Sequence, residues 1–90
     1  MYDQLAKRIP DKIRSERLIV KADPIDNVQA VSTNQNMQLL FAIYTEFLFP
    51  GKEEDIKCSR CCMRIINCFQ QMKPHLIDIE KQYKLLNALT

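Results

Sequence analysis

Cys58-Ser59-Arg60-Cys61-Cys62-Met63-Arg64-Ile65-Ile66-Asn67-Cys68 holds all four cysteines of the chain within eleven residues. Read as a loop, the stretch is a metal or redox site. Read as a helix, it is one face of a packed core. At about 100° per residue, Cys58, Cys61, Cys62, Ile65, Cys68, Phe69 and Met72 fall within about 120° of one another. Ser59, Arg60, Arg64, Asn67, Gln70 and Gln71 take the opposite side. That is an amphipathic helix whose inner stripe uses cysteine as a small apolar residue. The metal alternative takes Cys58, Cys61 and Cys62 as zinc ligands, with Cys68 or His75 as the fourth. Against it, no second ligand pair comes from a distant segment, and no glycine lies nearby to form a knuckle turn. A thioredoxin-like reading of Cys58-x-x-Cys61 lacks the βαβ context such a site needs. The expectation is therefore structural thiols with no metal and no cofactor. One qualification concerns Cys58, which lies near the helix start, where a thiol pKa is lowered.

Upstream, the apolar residues of segment 34–49 spread over an arc of about 200°, from Leu39 and Ile43 through Leu40 and Tyr44 to Leu48 and Phe41. A surface helix shows a stripe nearer 100°, so this one is expected to be buried on two sides, either as the central helix or as part of an interface. Ser32, Thr33 and Asn34 offer N-caps, and Pro50-Gly51 closes the helix. Glu53, Glu54 and Asp55 then lead into the cysteine helix, where acids suit the positive end. That helix is expected to run to 72 or 73 and stop at Pro74. A last helix follows to near 88, with Leu76, Ile79, Tyr83 and Leu86 inside and Ile77, Leu85 and Leu89 outside that stripe. At the other end, Tyr2, Leu5, Ala6 and Ile9 form a short helical face closed by Pro10. Segment 11–22 is read as helix, although Arg17-Leu18-Ile19-Val20-Lys21 has β character. Asp23-Pro24 ends it, and 23–33 reads as a loop. The expected fold is all-α, a single-domain bundle of four to five helices. The helix 34–49 is expected to pack between the cysteine helix and the last one.

Composition agrees with this reading. One glycine in ninety residues is too few for hairpin turns, and 47% apolar with 27% charged residues is ordinary for a globular chain. The net charge of +2 is unevenly spread. Residues 1–22 carry six bases against three acids, 23–57 two against six, and 58–90 five against two. Basic ends flank an acidic middle, which suits docking better than dedicated nucleic-acid binding. The first residues lack the apolar core of a signal peptide, and no apolar run approaches the length of a membrane span. A cytoplasmic location with reduced thiols is expected.

The residues Leu40 to Pro50 and Cys58 to Arg64 combine a Leu/Phe/Tyr-rich helix, a proline-containing loop and a helix opening on Cys-x-x-Cys plus arginine. In this the chain resembles small uncharacterised proteins of Bacteroidetes phages and integrated elements, over about a quarter of its length. The resemblance implies a virion or mobile-element accessory protein and no particular activity. There is no Gly-rich phosphate loop, nucleophile motif or carboxylate pair with a base, so no enzyme is expected. His75 reads as a helix-start surface residue, and Tyr2, Tyr44 and Tyr83 as core-edge residues. The leading expectation is a small assembly or interaction subunit. It would self-associate or bind a protein partner through Leu39, Phe41, Ile43, Phe47 and Leu48. The other class is a nucleic-acid-binding regulator, with Arg60, Arg64 and Lys73 contacting phosphates.

Overall fold

Asn34 starts the central helix. Its side-chain oxygen accepts the Met37 N–H at 2.9 Å, which satisfies one of the free donors of the first turn. In the computed structural model, which describes residues 1–15 and 24–88, four α-helices appear among those residues. They are α1 (Tyr2–Ala6), α2 (Asp11–Ile13), α3 (Gln35–Ile43) and α4 (Ser59–Ala88). No strand occurs among the described residues, and the chain is a small all-α protein. The β-character segment Arg17 to Lys21 lies outside them.

The central helix widens before it ends. Tyr44–Leu48 forms a π turn, closed by the Phe49 N–H donating to the Tyr44 carbonyl at 2.9 Å. Thr45 assists by bonding its hydroxyl back to the Phe41 and Ala42 carbonyls, a contact that bends helices. Gly51, at φ 88°, turns the chain away, a conformation that glycine adopts without steric cost. The Tyr44 and Phe49 rings meet at 5.1 Å across this corner. Met37, Leu40, Ile43, Tyr44 and Leu48 are buried, while Leu39, Phe41 and Phe47 are half-buried along the margins.

Pro74 does not break the chain into two helices. α4 runs through it for 30 residues, a length of about 45 Å at the α-helical rise. That length sets the 44 Å long axis of the molecule. Proline has no N–H to give the Gln70 carbonyl, but both residues are exposed, so water can take that acceptor. On the inner side the stripe continues unbroken, with Cys62, Ile65, Ile66, Phe69, Met72, Leu76 and Glu80 all buried. Continuity of that buried face outweighs the local cost of the proline. The expected arrangement, with 34–49 sandwiched between two separate helices, is therefore replaced: α1 and α3 both pack on the single α4. The inner stripe also differs at its end, because Leu86 is exposed and Glu80 is buried.

Glu80 is buried because Arg14 reaches it. The two side chains are 4% and 1% exposed, and Arg14 Nε donates to Glu80 Oε2 at 3.1 Å. Arg14 also binds Asp11 at 2.6 Å and lies 5.7 Å from the centre of the Tyr83 ring. This pair ties α2 to α4 beside the apolar core, which joins Leu5, Ala6 and Ile9 to Ile25, the α3 residues and the α4 stripe.

Candidate functional site

The start of α4 gathers the reactive groups. Cys58 is its N-cap: the Cys58 carbonyl accepts the Cys62 N–H at 3.1 Å, and its sulfur accepts the Cys61 N–H at 3.3 Å. A thiolate is a stronger acceptor than a thiol and is favoured by the positive helix end. Hydrogen bonds from the Cys61 thiol and backbone hold the Cys58 pKa below its ordinary value. The Cys61 pKa is pushed up, chiefly by Cys58 and also by a hydrogen bond to Glu54. Cys62 turns inward, where its sulfur donates to the Ile56 carbonyl at 3.1 Å and burial raises its pKa. Cys68 is half-buried and raised by desolvation.

Glu54 belongs to the same cluster. Its side chain is 1% exposed, with Arg64 at 3.0 Å and Lys52 at 3.6 Å. The Cys61 thiol, then these two cations, hold its carboxyl below the usual range against the opposing effect of burial. From the sequence alone, Glu54 reads only as a favourable charge near a helix start. The acidic run gave no signal that its second member folds under two cations and beside a thiol.

The five residues considered for zinc are not brought to one point. Cys62 faces the core, and His75 lies 17 positions along α4 from Cys58, about 25 Å at the helical rise. Among the described residues, no three His, Cys, Asp or Glu groups are arranged to hold a metal ion. His75 is an exposed mid-helix residue rather than a helix-start one. With Asp3, Lys7, Asp78, Ile79 and Gln82 it lines a shallow cleft of about 230 Å³ between α1 and α4.

The basic face is largely committed within the chain. Arg64 pairs with Glu54, and Lys73 pairs with Asp26. Arg60 is exposed. Among the N-terminal bases, Arg14 is buried and Arg8 donates to the Leu48 carbonyl.

The expected docking wall on the central helix is mostly covered by the chain itself. Ile43 and Leu48 are buried, and Leu39, Phe41 and Phe47 pack against the core from its edge. In the segment after Pro24, Ile25 is part of the same core and Val28 and Ala30 pack against it. Among the described residues the exposed large apolar groups are Met1, Val31, Met63, Leu85 and Leu86. Leu85 is 66% and Leu86 65% exposed, on the end of α4, where every residue from Lys84 to Ala88 is exposed. No helix among the described residues is long and apolar enough to cross a membrane.

No family model, curated protein or solved structure matches the chain.

Proposed function

We propose that the protein is a small non-enzymatic assembly or interaction subunit that docks through the far end of α4. One observation carries this reading: two adjacent leucines stand about two-thirds exposed near the end of α4, where every residue from Lys84 to Ala88 is exposed. Exposed leucines are ordinary singly. Here two neighbours share an exposed segment of regular helix, the form in which apolar anchors enter a partner's groove. The resemblance of Leu40 to Pro50 and Cys58 to Arg64 to phage and mobile-element proteins supports a role of the same class, as an accessory protein within a larger assembly.

A second copy is the partner of first choice, because a two-fold pair presents each strip with its own complement. Covering a leucine contributes about 1.5–3 kcal/mol, and association costs about 4–15 kcal/mol. Four leucines across a pair contribute about 6–12 kcal/mol, which exceeds only the lower part of that cost, so self-association through them is no tighter than roughly micromolar. The nucleic-acid alternative requires Arg64 and Lys73 to leave Glu54 and Asp26 before they meet phosphate. A salt titration separates the two: phosphate binding falls steeply with salt, and a leucine contact does not.

A further inference from the structure

We propose that Cys58 and Cys61 form a thiol–disulfide exchange site, in which Cys58 attacks a disulfide substrate and Cys61 resolves the product into an intramolecular disulfide. This is independent of the docking role of α4. The geometry has three parts. The two residues stand at the cap and the third position of one helical turn, with the Cys61 N–H bonded to the Cys58 sulfur at 3.3 Å. Both are half-exposed, so an incoming disulfide can reach them. Behind Cys61 lies the Glu54 carboxylate, its side chain 1% exposed and fixed by Arg64 at 3.0 Å. The other two thiols lack this setting: Cys62 is buried and bonded to a carbonyl, and Cys68 is two helical turns further along the helix.

The chemistry balances as two exchanges. The Cys58 thiolate attacks one sulfur of R–S–S–R, forming a Cys58–S–S–R bond and releasing RS⁻, which takes a proton from water. Cys61 then gives up its proton as its sulfur attacks Cys58 Sγ. The Cys58–Cys61 bond forms and the second RS⁻ leaves, taking that proton. The substrate disulfide is reduced to two thiols, and the protein dithiol is oxidised to one disulfide. Low thiolate pKa at the attacking sulfur speeds the first exchange at neutral pH, and the environment of Cys58 supplies it.

Glutathione disulfide is the probe. The reduced full-length protein is incubated with it, quenched in acid and mapped by mass spectrometry after digestion. The expected product is a Cys58–Cys61 disulfide, with Cys62 and Cys68 still reduced. Cys61→Ser should accumulate glutathione on Cys58, and Cys58→Ser should abolish both products. Serine at 58 can cap the same N–H, so helical circular dichroism of both variants should match the parent. A second measurement does not depend on the variants. Limited iodoacetamide labelling of the native protein at about pH 7 should modify Cys58 first among the four thiols. Glutathione appearing first on Cys61, Cys62 or Cys68, no Cys58–Cys61 disulfide under conditions that oxidise the urea-unfolded chain, or Cys58 labelling no faster than Cys68 would each overturn the proposal.

Discussion

Asn34 and Cys58 hold the same station in their helices, each accepting the N–H three residues on. Asparagine is a usual cap and cysteine is not, which explains why the first was legible in the sequence and the second was read as part of a stripe. A wheel drawn through 58–72 places Cys58 with the core residues because it assumes helical geometry one residue too early. Cys62, Ile65, Phe69 and Met72 do lie on the buried face, while Cys58, Cys61 and Cys68 are half-exposed. Asn34→Ala should cost about 0.5–2 kcal/mol in urea unfolding, and an unchanged midpoint would show that α3 does not need its cap. Glu54 gives a pH signature. Its carboxyl titrates lower in the folded chain than in the unfolded one, so its contribution is complete above the unfolded value of about 4.3 and is lost as pH falls through the folded value. Stability of the native protein should therefore converge on that of Glu54→Gln as the solution is acidified below about pH 4. Parallel pH profiles for the two proteins would mean that Glu54 is not held by Cys61 and Arg64.

Local rules located the start of α3, the Pro50-Gly51 stop and the long amphipathic face of α4, because each is written in neighbouring residues. They failed at Pro74. A proline reads as a terminator when only its own hydrogen bond is considered. Here the stripe continues from Met72 to Leu76 and Glu80, and what rewards continuation comes from α1 and α2, far away in sequence. The proline is nevertheless a cost of up to about 3 kcal/mol in a helix interior relative to alanine. Because Pro74 is exposed, Pro74→Ala leaves no cavity and should stabilise the protein, with thermal unfolding as the measure. A loss of stability on that substitution would indicate that 70–76 is not regular helix. The π turn at Tyr44–Leu48 is not legible in the sequence, because nothing in its residues demands the wider turn.

Across the whole molecule, the least legible contact is also among the most consequential. Arg14 and Glu80 are 66 residues apart, and neither sits in a pattern that marks it as buried. Removing Arg14 strands the Glu80 charge, so Arg14→Ala should destabilise by about 3–5 kcal/mol, whereas Glu80→Ala should cost less because Arg14 keeps Asp11 at 2.6 Å. The double change Arg14→Met with Glu80→Leu should recover most of that loss, since a well-packed apolar pair often matches a buried ion pair. Glu80 Oε1 has no hydrogen-bond partner among the described residues, which favours that outcome. A double variant as unstable as the worse single one would show the pair to be irreplaceable. The same long-range packing shifts the proposed docking surface. The wide apolar arc of the central helix is mostly covered within the chain, and among the described residues the end of α4 leaves two adjacent leucines exposed. That relocation makes the central claim directly measurable. Sedimentation equilibrium of the reduced protein up to about 1 mM, at high salt, should show mass rising with concentration towards that of a dimer. Leu85→Glu with Leu86→Glu should remain monomeric throughout while keeping the parent's unfolding temperature. A parent protein that stays monomeric across the whole range, or a double variant that associates as strongly as the parent, would contradict docking through the end of α4.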